Sequence, residues 1–237
     1  MIRDKPCIEV PLDGGTHANV DRLLEAVAPD TRLLFIDNPN NPTGTHVPRE
    51  DLERLLHALP DHVIPVIDEA YVHFANAPSY VSALSLRGLH PNLVVLRTFS
   101  KAHGLAAVRV GYAIADREII ADLGRVRAPF NVSSIAQAGA VAALDDPDHV
   151  TAYVELNRVE RARLTTALES MGLAVAPSQA NFIFARLEAS AQQVYEALLR
   201  EGVIVRAFAA LPHHLRITVG LAAENDRLLA SLRKVLP

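Results

Sequence analysis

The chain has no tryptophan, two methionines and a single cysteine, Cys7. One thiol cannot close an internal disulfide, so no disulfide scaffold is available and a reducing compartment is expected. No apolar run approaches membrane-spanning length. The opening Met1-Ile-Arg-Asp-Lys-Pro6 lacks the hydrophobic segment of a secretory signal, so the reading is a cytoplasmic chain with no membrane partner. Nor is there a basic excess: 23 Lys and Arg face 27 Asp and Glu, for a net charge of −4, which leaves no electrostatic footprint for nucleic acid. Glycine-rich dinucleotide fingerprints and Walker-type lysine loops are missing too. His57 and His62 stand off the same-face spacing of a helical metal pair, and His213 and His214 adjoin without companion ligands, so no metal is expected. Asp145, Asp146 and Asp148 lack the other ligands of a calcium loop and read as a solvated turn.

Lysine is the most pointed scarcity. Of the 23 basic residues only Lys5, Lys101 and Lys234 are lysines. A bias toward arginine with chance survivors would account for that by itself. An amine, however, can lose its proton and attack a carbonyl, which a guanidinium cannot. What surrounds Lys101 therefore decides its meaning.

What is present is the composition of a folded domain, 50% hydrophobic and 21% charged over 237 residues, long enough for one large domain or two small ones. The first two-thirds alternate short apolar runs with helical patterns. Strands are expected at Ile8–Leu12, Arg32–Asp37, Val63–Ile67, Leu93–Leu96 and Val110–Ala115, and helices from Asn19 or Asp21 to about Val27 and over Arg49–Leu59. The runs at Val63–Ile67, Leu93–Leu96 and Val110–Ala115 lack polar alternation, as strands covered on both faces do. Alternating strands and helices indicate an α/β layer around a mostly parallel sheet.

After Glu118 the pattern changes. A helix entry at Asn131–Ser134 leads into residues 135–144, Asp145–Asp148 is a break, and a long arginine-rich helix runs to about Met171. Strands are expected at Ala180–Leu187, Val203–Arg206 and Leu215–Val219, with helices at Ala191–Arg200 and Glu224–Val235. This second portion reads as α+β. The boundary falls near 145–155, giving a large domain over 1–150 and a small one over 151–237.

In open α/β sheets, ligands collect at the carboxyl ends of the strands. Three strand ends there carry chemistry: Asn38-Pro-Asn-Asn-Pro-Thr-Gly44, Asp68-Glu-Ala-Tyr71 and Thr98-Phe-Ser-Lys101, with Arg109 eight residues further on. Singly, each has a plain structural reading. The first is turn chemistry, Asp68 a helix cap, Tyr71 a packing residue, Ser100 a cap and Arg109 a surface arginine. Together they place an amide, a carboxylate, a phenol, hydroxyls and an amine on one edge.

These segments, with Thr98-Phe-Ser-Lys-Ala-His-Gly-Leu-Ala-Ala-Val-Arg-Val-Gly-Tyr112, resemble the fold-type-I pyridoxal-phosphate aminotransferases, and within them the histidinol-phosphate aminotransferase branch. Ala128-Pro-Phe-Asn-Val132, Ser178-Gln-Ala-Asn-Phe182 and Leu215-Arg-Ile-Thr-Val-Gly220 extend the similarity over almost the whole chain. The resemblance implies the large-domain fold, in incomplete form, followed by the small domain. It implies pyridoxal 5'-phosphate as cofactor, an amino donor and a 2-oxo acid as substrates, and a homodimer if the segment missing at the N-terminus is present. Lys101 would bind the cofactor covalently and later move a proton. Asp68 would face the ring nitrogen, Asn41 and Tyr71 the ring hydroxyl, and Ser100 and Arg109, with Thr98 assisting, the phosphate. Arg216 and Arg206 would receive the anionic end of the substrate, and Asn181 would shape a turn.

Departures from the branch are also legible. His103 stands where an aromatic residue is usual and is expected to fill its place; Ala107 replaces a glycine. Family members begin well upstream of the point resembling Pro6–Leu12. The portion not found here carries a sheet strand, a glycine-containing phosphate loop, an aromatic that stacks on the ring and a tyrosine that reaches the partner's site. The expectation is a fragment of a gene product with uncovered sheet edges, weak cofactor binding and reduced activity. The same motifs also suit an aromatic amino acid aminotransferase, a threonine-phosphate decarboxylase-like lyase or an inactive remnant.

Overall fold

The structure is a computed structural model, and it describes residues 6–236. The expectations placed on Met1–Lys5 lie outside the described residues. Two four-stranded sheets organise the chain. In the first, β1 (Leu33–Asp37), β2 (Ile64–Asp68) and β3 (Val94–Thr98) run parallel, and β4 (Gly111–Ile114) closes the row antiparallel to β3. The mostly parallel α/β layer is therefore present, in the order β1-β2-β3-β4.

One face of this sheet is packed by α1 (Val20–Glu25), α2 (Arg49–Ala58) and the short turn of helix Ala83–Leu89. The α1 helix opens where Asn19 caps it by accepting a hydrogen bond from the Arg22 amide. Along α2, Leu52, Leu55 and Leu56 fall on the side turned to the sheet and are fully buried against Leu34, Ile36, Ile67 and Val95.

On the other face the cover gives out toward β1. Val66 and Val94 are buried, but Leu33 and Phe35 are 50% and 63% exposed. The expectation of cover on both sides thus holds for β2 and β3 and fails for β4, whose first two residues are exposed, while β1 is an edge strand whose burial alternates residue by residue. The expected strand Ile8–Leu12 does not form either. Those residues run without a strand partner among the described residues, and the only pairing nearby is an isolated bridge from Asp13 to His17. A lone extended segment has no ladder to satisfy its backbone groups, so its apolar side chains alone do not make it a strand.

Beyond β4 come α3 (Arg117–Val126), capped by Asp116 and not anticipated from the sequence, and α4 (Ser134–Leu144). The expected break at Asp145–Asp148 is shorter than that. Asp146 caps α5 (Pro147–Ser170) by accepting from the His149 amide, and Pro147 occupies the first turn, where its missing N–H is no loss. A buried arginine on α5, Arg161, donates through Nη1 to the carbonyls of Phe74 and Ala180 and through Nη2 to Asn76 Oδ1, so one side chain ties α5 to segments leading from each sheet.

The second sheet has the order β5-β6-β8-β7 and is antiparallel throughout, from β5 (Ala174–Val175), β6 (Phe182–Arg186), β7 (Arg206–Phe208) and β8 (Leu211–Thr218). The strand expected at Val203–Arg206 begins only at Arg206, because Gly202, at φ 74°, and Val203 complete the turn that ends α6 (Ala191–Arg200). Helices α5, α6 and α7 (Ala222–Val235) seal one face over Ile183, Ala185, Leu215 and Ile217. Among the described residues no helix is long and apolar enough to cross a membrane.

Candidate active site

The carboxyl ends of β1, β2 and β3 meet at one rim, and each ends in a polar loop. The β1 loop carries Asn38, fully buried, whose Oδ1 accepts from the Val47 amide and so folds the Asn-Pro segment back on itself. Gly44 closes that loop at φ 77°. A Cβ there would stand 2.8 Å from Ser178 Cβ, so the close approach of the second sheet's leading segment also requires glycine. The β2 loop turns immediately: Asp68 Oδ1 accepts from the Ala70 amide at 2.8 Å. Next to it, Glu69 is buried and anchored by Ser82, the Ala83 amide and the Arg97 guanidinium, the last at 2.8 Å. That network pins the Asp68–Tyr71 turn between β2 and β3.

Tyr71 is buried and packs edge-on against Phe182 of the second sheet, with ring centroids 5.1 Å apart. Lys101 Nζ lies over the Tyr71 ring, 5.1 Å from its centroid. The lysine and the phenol therefore share one space, as do the two sheets that supply Tyr71 and Phe182. Thr98 is engaged within the loop itself. Its hydroxyl donates to the Val110 carbonyl at 3.4 Å and accepts from the Ser100 amide at 3.0 Å, so it shapes the lysine loop through the backbone. Arg109, in the left-handed region at φ 56°, donates through Nη1 to Ser100 Oγ at 3.5 Å and to the Ala106 carbonyl at 2.8 Å. Ser100 and Arg109 thus form a hydroxyl–guanidinium pair beside Lys101.

The second sheet brings the remaining cations. Arg216 Nη1 donates to Asn41 Oδ1 at 2.5 Å, a contact spanning the two sheets. Its Nε is buried without a partner, and its Cζ lies 5.2 Å from the Phe182 ring centroid and 5.8 Å from that of Phe208. Arg206 stands directly across the ladder from Arg216, 5.7 Å from the Phe208 ring. Two like charges in register are unfavourable alone, and each aromatic contact relieves only part of that. An anion between them would turn the repulsion into binding.

A cavity of about 280 Å³ opens beside the amine, lined by Ser100, Lys101, Gly104, His149, Tyr153 and Asn181. Sequence reasoning missed His149 and Tyr153. Both lie on α5, distant in sequence, and nothing local marks them. Asn181, expected only to shape a turn, does that through its carbonyl, which accepts from the Val219 amide, and also lines the cavity. A larger open hollow of about 640 Å³, around Arg127, Phe130 and Gln137, contains none of the lysine, carboxylate or phenol groups.

His103 packs against Phe99, with ring centroids 4.9 Å apart, and edge-on against His73, 5.1 Å away. It sits in an aromatic setting, as its place in the motif suggested. Burial, then the neighbouring His149, pushes its pKa down. His73 is lowered to about 4, by burial first and then by His103 and Arg97.

The family described as aminotransferase class I and II matches residues 2–232. The chain is 44% identical over 229 residues to histidinol-phosphate aminotransferase 1 of Nitrosococcus oceani, covering 96% of this chain and 62% of that protein. It is 48% identical over 220 residues to histidinol-phosphate aminotransferase 2 of Methylococcus capsulatus, covering 92% of this chain and 59% of that protein. Among solved structures, histidinol-phosphate aminotransferase from Sinorhizobium meliloti in complex with pyridoxal-5'-phosphate superposes with a TM-score of 0.88 at 31% identity, over 96% of this chain and 63% of that one. The chain thus spans about three-fifths of the length of the curated relatives it matches.

Proposed function

The chain belongs to the aminotransferase class I and II family, and on that premise we propose that it is a pyridoxal-phosphate-dependent aminotransferase acting between histidinol phosphate and 2-oxoglutarate. In this reading it serves histidine biosynthesis in the cytoplasm, as one subunit of a homodimer. The observation that carries the reading is the position of Lys101 Nζ over the Tyr71 ring, on the rim that also presents Asp68 and the Asn41–Arg216 pair. The names of the relatives support the substrate.

The donor set fits the cofactor. A phosphorylated pyridine aldehyde calls for an amine, an anion for its ring nitrogen, donors for its phenolic oxygen and a cationic phosphate seat. Lys101, Asp68, Asn41 with Tyr71, and Ser100 with Arg109 supply these in turn. When bound, pyridoxal phosphate supplies an electron-withdrawing ring that stabilises negative charge at the substrate Cα. Lys101 would hold the aldehyde carbon and, once displaced by the substrate amine, carry the proton to and from Cα as general base and acid. Asp68 would keep the ring nitrogen cationic. Arg109 and Ser100 would fix the phosphate end through charge-assisted bonds. Arg216, through its unpartnered Nε, would bind the substrate carboxylate and relay its position to Asn41. Arg206 would take a second anionic group across the Phe208 ring.

The test is direct. Pyridoxal phosphate added to the purified chain should give a visible absorbance band, and borohydride should then fix added mass on Lys101. Lys101→Ala should show neither. Amino transfer from histidinol phosphate to 2-oxoglutarate supports the reading in full, whereas carbon dioxide release from an amino acid phosphate would replace it with a lyase. Absence of both the band and the added mass in the wild-type chain would reject the cofactor assignment.

A further inference from the structure

Two neighbouring strands end in aspartates at the site's rim. Asp37, the last residue of β1, is the register partner of Asp68, the last residue of β2. Parallel neighbours stand about 4.8 Å apart, and register partners direct their side chains to the same face of the sheet. Asp37 is solvent-exposed as a residue, as are Leu33 and Phe35 on that same face. Its carboxyl nonetheless has a raised pKa, first through the protein packed around it and then through the negative charge of Asp68, while the backbone amide of Asn41 pulls the other way. Asp37 therefore adjoins Asp68 across the ladder and stands four residues before Asn41, the residues assigned above to the ring nitrogen and the ring hydroxyl.

Among the described residues no lysine or arginine forms an ion pair with either aspartate. Like charges in register weaken a sheet, and a cation placed beside both relieves them. The hydrogen bond from the Ala70 amide fixes Asp68 in its turn. Asp37 has the adjoining position and leaves the direct contact to Asp68.

We propose that Asp37 and Asp68 together form the counter-charge for the protonated ring nitrogen of the cofactor, Asp68 by contact and Asp37 as a positioning residue acting through it. The inference rests on the pyridoxal-phosphate reading and adds to it a second acid that no single strand end would reveal. No bond is made or broken at Asp37. Its contribution is electrostatic and falls on the charge of the ring, not on the aldehyde or the phosphate.

That separation gives the test. Binding of two ligands to the apo chain is measured by calorimetry at fixed ionic strength: pyridoxal phosphate, and its carbocyclic analogue in which the ring nitrogen is replaced by carbon. Asp37→Asn should weaken pyridoxal phosphate about three- to tenfold and change the carbocyclic analogue by less than about twofold, the range expected for one partly screened charge a few ångströms beyond the contact. Asp37→Glu, which keeps the charge, should restore most of the lost affinity. Equal weakening of both ligands would mean that Asp37 only props up the loop, and no weakening of either would mean that it is a bystander; both overturn the inference and leave the cofactor assignment standing. A wild-type chain that binds neither ligand overturns the cofactor assignment and this inference with it.

Discussion

The two sheets solve the same problem unequally. The second is closed: Ile183, Ala185, Leu215 and Ile217 are essentially inaccessible beneath α5, α6 and α7. The first is packed on one face by α1 and α2, while at its β1 edge Leu33 and Phe35 face solvent and β4 leaves Tyr112 40% exposed. Yet most of the chemistry stands on the first sheet. Of the residues proposed for the site, Lys101, Asp68, Tyr71, Ser100 and Arg109 come from its strand ends, and the second sheet contributes Arg206, Arg216 and the ring of Phe182. The difference sets a closed layer against the layer that carries most of the proposed site. The antiparallel layer is sealed on its packed face, whereas the parallel layer that carries the proposed site has an open edge of unpaired backbone and apolar side chains.

The sharpest expression of that separation is Lys101→Ala. It should abolish borohydride-trapped cofactor altogether, because among the described residues no other lysine stands at the rim. It should also leave the thermal midpoint of the apo chain nearly unchanged, because the side chain is only partly buried and its contact with Tyr71 is a cation–π contact worth about 0.5–1 kcal/mol at such a site. A large fall in melting temperature would show that the reactive layer is also a structural keystone, and the comparison would fail.

The next largest effects concern stability itself. Leu215→Ala, at a fully buried position on β8, should cost about 2–5 kcal/mol in urea unfolding. Phe35→Ser, at an exposed position on β1, should change stability by no more than about 0.5 kcal/mol and reduce self-association at high concentration. Amide hydrogen exchange should follow the same division, with β6 and β8 slower than β1. If Phe35→Ser destabilised the chain as much as Leu215→Ala, the exposed face would be covered in solution.

How far this could be read from the sequence depends on the distance over which each feature is determined. The turn at Asn38–Gly44, the cap at Asn19 and the helices at Arg49–Ala58 and Ala191–Arg200 follow from residues within a turn or two of each other, and the sequence shows them. The rim was legible because strand ends alternate with polar loops along the chain. What could not be read was whatever depends on a neighbour. Ile8–Leu12 has strand composition and lacks a partner strand. Leu33-Leu-Phe-Ile36 looks buried throughout, but β1 is an edge, and three of its five residues are exposed. The approach of Arg216 to Asn41, and of His149 and Tyr153 to Lys101, joins segments far apart in sequence that only packing brings together. Thr98 was expected to assist at the phosphate by its place in a motif; its bonds to the Val110 carbonyl and the Ser100 amide, which shape the lysine loop, had no local signal.

The smallest effect tests the comparison by acid. His73 follows the Asp68–Tyr71 turn and packs against His103, with Arg97 as the other nearby charge. Its folded-state pKa is lowered from the usual 6.5 to about 4, first by burial and then by these two groups. A histidine that resists protonation when folded takes up its proton more readily when unfolded. Between pH 6.5 and about 4 the unfolded chain therefore binds more protons, and stability rises with pH. The contribution is complete above pH 6.5 and is lost as pH falls toward 4. Allowing for the solvent on its open side, it amounts to about 1–2 kcal/mol. His73→Phe keeps an aromatic ring against His103 and removes the titration, so it should flatten the slope of unfolding free energy between pH 4.5 and 7 by about that amount. The closed sheet has a histidine shifted the same way, since His214, stacked on Phe184, is also lowered by burial and then by Arg186 and His213. Substituting His73 alone should therefore leave part of the acid sensitivity in place. An unchanged slope would mean that the reactive layer contributes nothing to it and that the acid response belongs to the second sheet.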